Sequence, residues 1–168
     1  MKKTLFFCWG LFFVLVMPAL AADKIGHVDL ARLFDEYGKT KEYDAILNSK
    51  ERAYEAEREK KVNEIKQLQD KFNLLSDKEK DAKKIELEAK VKALQEFDNQ
   101  RQAELLKERN EKIKEILKDI EKAVSQYAKS QGYTFILNDR ILVYQTKDTD
   151  ITDKVLEILK SSYSYKGK

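Results

Sequence analysis

Residues 39–131 contain neither glycine nor proline. Residues 39–129 carry 23 Lys and Arg and 21 Asp and Glu, interspersed with Ala, Leu and Gln. A breaker-free stretch of strong helix formers on this scale has one economical solution, long α-helix. Apolar residues recur at Val62, Ile65, Leu68, Phe72 and Leu75, and again at Ile113, Ile116, Ile120, Val124 and Tyr127. Both series step by three or four and line one helical face. Between them lies Ser76-Asp77-Lys78-Glu79, where a Ser followed three positions later by Glu is a capping-box signature. One helix therefore ends near Leu75 and a second begins near Asp77. Two amphipathic helices joined so briefly fold back antiparallel. The sequence predicts a hairpin arm over residues 39–129 with its tip near 76–79, about 55 Å long at 1.5 Å per residue.

Folding the arm about residue 77 gives a register. Phe72 then lies near Ala82 and Ile85, Leu68 near Ile85 to Leu87, Ile65 near Ala89, Val62 near Val91 to Leu94, and Leu47 near Leu105 and Leu106. Apolar residues meet near the tip and the root. The middle is thin, since residues 48–61 offer only Ala53, Tyr54 and Ala56 against Phe97 and Ala103. At about 25 cal/mol per Å² a seam this sparse stabilises little, so a flexible mid-arm is expected. Tyr54 and Phe97 in that middle, and Leu74 at the tip off the main stripe, are the candidate contacts for something held between arms.

The 21 residues that precede this chain body are of another kind. Lys2 and Lys3 form a positive n-region, Leu5 to Val16 is nearly unbroken apolar sequence, Pro18 interrupts it, and Ala19-Leu20-Ala21 supplies small residues for cleavage. This is the pattern of a secretory signal peptide, residues 1–21. The run is shorter than the roughly 20 residues that span a bilayer. In a two-membraned bacterium the exported chain would reside in the periplasm. The same 21 residues hold the only Cys and the only Pro. The exported chain would have no thiol, which excludes a disulfide framework and Cys/His zinc chemistry. Its net charge falls from +3 to +1 once Lys2 and Lys3 are removed, too balanced for a nucleic-acid binder.

Strand signals flank the arm. Ile25, Val28 and Leu30 suit a short strand. Leu30, Leu33, Phe34 and Tyr37 then fit a helical period, with Asp29 at the N-cap and Gly38 as a stop or kink. After Gly132, which should end the long helix, Tyr133–Leu137 and Ile141–Tyr144 read as two strands joined by an Asn138-Asp139-Arg140 turn. Both runs are apolar on both faces, so the sheet needs two covers. Asp150 can cap a helix presenting Ile151, Val155, Ile158 and Leu159, which supplies one cover. Other copies of the same chain are the simplest second cover. Ile25, Val28, Phe135, Leu137, Ile141 and Val143 are therefore expected to hold an assembly core. Residues 22–38 and 130–161 make up this discontinuous β-rich body, and 162–168 read as a loose tail. The fold class is α+β, mostly α: a small β body with a long antiparallel helical hairpin arm.

Little in the chain signals reaction chemistry. His27, the single histidine, has no recognisable partner but Asp29 and reads as a structural residue. Glu55, Glu57 and Glu59 alternate with Arg58 and Lys60 and read as a solvated face. There is no Gly-rich phosphate loop, nucleophile elbow or metal-ligand spacing, so neither an enzyme nor a cofactor is expected. The pairs Lys60-Lys61 and Lys83-Lys84 offer at most weak contact with an anionic membrane surface.

The order of these pieces resembles the Skp (OmpH) family of periplasmic chaperones. The likeness rests on KIGHVDLARLFDEY near the start, the long charged hairpin, and YTFILNDRILVYQTKDTDITDKVLEILK at the end. It implies a homotrimer with a shared barrel-like β core, and three arms enclosing unfolded outer-membrane proteins without ATP. The near-neutral charge departs from a family often described as strongly basic. Two functions follow as expectations: an ATP-independent holdase for unfolded outer-membrane proteins, or an exported coiled-coil structural or adaptor protein with a specific protein partner.

Overall fold

The computed structural model describes residues 23–166. The signal-peptide segment lies outside the described residues. The element order is β1 (Ile25–Val28), α1 (Leu30–Glu36), α2 (Gly38–Asn73), α3 (Asp77–Gln131), β2 (Phe135–Asn138), two 3-10 turns (Asp139–Ile141 and Lys147–Thr149) and α4 (Thr152–Lys166).

Local chemistry sets most boundaries. The Asp29 carboxylate accepts the Arg32 amide at 2.8 Å and starts α1. Tyr37 leaves the helical region, at φ −66° and ψ 126°, and separates α1 from α2. At the tip, Glu79 Oε2 accepts the Ser76 amide at 3.3 Å and the Ser76 hydroxyl at 2.6 Å, where the capping-box pattern put the second helix start. Gly132 ends α3 in the left-handed region at φ 69°, which only glycine enters without a Cβ penalty.

The sheet departs from the sequence reading. β1 and β2 pair in parallel, with Ile25 opposite Phe135 and Val28 opposite Asn138. The whole helical arm is the crossover between them, as a parallel connection requires. On the other side of β1 the Ile151 amide donates to the His27 carbonyl at 3.0 Å. The expected hairpin is absent among the described residues. Asn138 Oδ1 accepts the Arg140 amide at 3.4 Å and the chain turns into a 3-10 segment. Ile141–Tyr144 consequently forms no strand with β2. An Asx turn at Asn138 redirects the backbone, where the expected Asn138-Asp139-Arg140 hairpin turn would have reversed it.

One core lies beneath the sheet. Leu33 of α1, Ile116, Ile120 and Ala123 of α3, and Ile151, Val155, Leu156 and Leu159 around α4 are buried together with Val28 and Tyr37. Thr152 ties the corner: its hydroxyl accepts the Asp29 amide at 2.9 Å and donates to Asp150 Oδ1 at 2.6 Å. α4 continues to Lys166, into the 162–168 stretch that reads as a loose tail in the sequence. Its last turns are held because Tyr163 packs against this core.

Candidate functional site

The arm is the dominant feature. Its two helices are stitched by cross-arm pairs symmetric about the tip: Lys90–Glu64 at 3.1 Å, Arg58–Asp98 at 3.1 Å, Lys50–Glu108 at 2.6 Å and Lys39–Glu115 at 2.6 Å. The fold-back about residue 77 thus holds along the arm. In the middle, Tyr54 and Phe97 meet with ring centroids 5.7 Å apart. The Tyr54 hydroxyl donates to Asp98 at 3.0 Å, and Lys61 lies 4.9 Å from the Phe97 centroid. Both candidate contact residues are therefore engaged with each other across the seam. Beside them a gap of about 230 Å³ opens between the helices, lined by Ala53, Tyr54, Arg101 and Leu105 among others. Ala53 is too short to reach across, which is the thin seam in physical form.

Three residues assigned to the seam by periodicity lie off it. Ile85 is 70% exposed, Val91 48% and Leu106 60%. With 3.6 residues per turn, Ile85 and Leu117 fall within about 60° of Leu106 on the side away from Leu105, and Val91 lies between Leu105 and Leu106 around the helix. Leu105, about 100° away from Leu106, is the half-buried one. α3 therefore carries single apolar residues, Ile85 and Leu106 on the arm and Leu117 beside the body, on a side that α2 does not cover. Leu74 at the tip is 88% exposed.

At the root the arm is anchored by charge. Lys39, 11% exposed in its side chain, donates to Glu115 at 2.6 Å and Asp119 at 2.7 Å. Tyr43 also donates to Glu115, at 2.9 Å, and Tyr37 to Asp119 at 3.3 Å. Burial opposes the Lys39 charge, but the two carboxylate hydrogen bonds outweigh it and raise its pKa. The Lys39 and Tyr43 bonds hold the Glu115 carboxyl down at about 2. Burial, then the Asp119 charge, pushes the Tyr37 phenol up to about 12. Sequence reading missed this cluster. The i, i+4 spacing of Glu115 and Asp119 was visible, but Lys39 comes from the other helix.

The six residues expected to hold an assembly core divide. Val28 is buried at 5% exposure within the chain's own core, in one cluster with Leu33 and Val155. Leu137 is half-buried. Ile25, Phe135, Ile141 and Val143 are 50%, 55%, 67% and 105% exposed, beside Tyr144 at 84%. Ile25 and Phe135 are register partners across β1 and β2, and among the described residues β2 has no strand partner other than β1. His27 is buried, and its Nδ1 lies 3.1 Å from the Thr149 hydroxyl. Among the described residues no group of three or more His, Cys, Asp or Glu could hold a metal, and no helix is long and apolar enough to cross a membrane.

A small parallel sheet closed over one helical core, with a hairpin arm projecting from it and exposed apolar residues on both, defines a mostly α, long-armed class of protein. The model of the OmpH-like outer membrane protein family matches residues 24–159, and the chain belongs to that family. A solved structure of a candidate OmpH-like outer membrane chaperone from Caulobacter crescentus superposes with a TM-score of 0.77 at 17% identity, covering 84% of this chain and 86% of that one. At that identity it speaks for the fold. No curated protein matches the chain.

Proposed function

We propose that this chain is an ATP-independent holdase of the periplasm, which encloses unfolded outer-membrane proteins between its arms and keeps them from aggregating. Membership of the OmpH-like family supports a chaperone. The observation that carries the finer reading is the set of uncovered apolar residues on α3, with Ile85, Leu106 and Leu117 at 70%, 60% and 41% exposure. Apolar residues distributed along the helix offer many weak contacts and no shaped pocket, which suits unfolded chains of varied sequence.

In the same reading the protein works as a homotrimer. Ile25, Phe135, Ile141, Val143 and Tyr144 are the surface on which copies meet, with the unpaired Ile141–Tyr144 segment adding to the open edge of a neighbour's sheet. Tyr54 and Phe97 act in this account as the clasp that closes the middle of the arm, and Leu74 as a client contact at its tip.

The test is light scattering of an outer-membrane β-barrel protein diluted from urea, with and without this protein and with no nucleotide. Suppressed scattering supports the holdase. Undiminished scattering favours instead a structural or adaptor rod that ignores unfolded chains.

A further inference from the structure

The foot of α2 is gripped from an element that belongs to the body. Tyr163, in the last turns of α4, lies over the α1–α2 break. Its ring packs edge-on to Tyr37 with centroids 5.8 Å apart and planes at 72°. A Cβ added at Gly38 would come within 3.1 Å of that ring, so the ring occupies the space a side chain would take on the first turn of α2. The Tyr163 hydroxyl donates to the Glu42 carboxylate one turn further along α2. Three contacts of different kinds therefore converge on one side chain, and all three partners lie on the Tyr37–Glu42 stretch.

This arrangement has a mechanical consequence. α3 passes without interruption from the arm into the core, through Leu105, Ile116, Ile120 and Ala123. α2 does not: Tyr37 leaves the helix before it, with no side-chain cap on the first turn of α2. Lys39 holds this first turn to α3 through Glu115 and Asp119, so without a further tie the hold of α2 on the body runs through α3. An arm resting on α3 alone would bend wherever α3 can bend. An arm whose second helix is also fixed to the body stands on two legs.

We infer that Tyr163 is a positioning residue, a clamp that fixes the foot of α2 to α4 and thereby sets the direction of the arm. The claim concerns arm geometry and holds whether or not the protein is a holdase. The full chain from Asp23, which lacks cysteine, carries Asn48→Cys on α2 and Glu157→Cys on α4, is spin-labelled, and is diluted into unlabelled chains so that only distances within a chain are read. The native distribution is narrow. Tyr163→Ala broadens it, with helix content by circular dichroism unchanged, and Tyr163→Phe, which keeps the ring on Gly38 and Tyr37, restores most of the native width. A Tyr163→Ala distribution as narrow as the native one, or a Tyr163→Phe distribution as broad as that of Tyr163→Ala, overturns the clamp. Hydrogen exchange on the unmodified chain tests it without a variant. The amides of Lys41 to Tyr43 exchange as slowly as those of the arm above them if the clamp holds. Fast exchange confined to this first turn overturns it.

Discussion

Replacing Lys39 by Met removes the charge that joins the two arm helices at their root and keeps most of the apolar stem. Breaking a fully buried ion pair from one side costs about 3–5 kcal/mol. Two observations scale that figure here. The Lys39 and Asp119 side chains are 11% and 16% exposed, whereas the Glu115 side chain is 46% exposed. Water screens the Glu115 half of the interaction to about 1 kcal/mol or less. The Asp119 half dominates, because that carboxylate would keep only the Tyr37 hydroxyl at 3.3 Å. The expected loss is about 2–3 kcal/mol near neutral pH, read from urea unfolding at one fixed protein concentration. The pH dependence has a definite sign. Glu115 sits at about 2 in the folded chain against an ordinary 4.5, so its share of the stability is fully present above 4.5 and is lost as pH falls through about 2. Lys39 is raised, so its share is present below its ordinary 10.5 and fades only in strong alkali. The gap between native and variant chains is therefore flat around neutrality and narrows below 4.5. A variant with native stability, or a gap that does not narrow in acid, would falsify the view that this cluster is the structural anchor of the arm.

Three further outcomes follow from particular residues. Gly132→Ala should destabilise the chain by about 1–2 kcal/mol through the left-handed backbone alone, since no atom lies within 4 Å of the added Cβ; a neutral melting shift would mean that the turn relaxes. Phe135→Asp sets an unpaired charge in the proposed assembly surface of the body, and sedimentation should show the assembly dissociated; an unchanged oligomer would remove Phe135 from the interface. Leu106→Asp combined with Leu117→Asp should leave the free energy of unfolding within about 1 kcal/mol of native, about 0.5 for each exposed position, yet weaken suppression of client aggregation. Full suppression by that variant would detach these α3 residues from client binding.

What could be read from the sequence was local. Ser76 with Glu79, Asp29 with Arg32, and Gly132 each act within four residues of themselves, and their chemistry fixes a helix end wherever it occurs. The mostly helical fold followed from the breaker-free run. What was not legible depends on partners far along the chain. Ile141–Tyr144 looks like a strand by composition, but β2 already has its partner in β1 and the Asn138 side chain turns the backbone away. Ile85, Val91 and Leu106 satisfy an apolar period, yet α3 has apolar residues on more than one side and periodicity does not say which side α2 covers. Tyr163 stands among Ser and Lys, and nothing near it in sequence announces the glycine on which it packs. Lys39 looks like any solvated lysine until α3 brings two carboxylates to it.

The central claim is that copies of this chain assemble through their body and hold an unfolded protein between their arms. Native mass spectrometry of the chain from Asp23, alone and after mixing with a urea-diluted outer-membrane β-barrel protein, tests both halves at once. The account predicts a trimer that gains the mass of one client. A trimer that captures nothing would contradict the holdase, and a stable monomer would contradict the shared body.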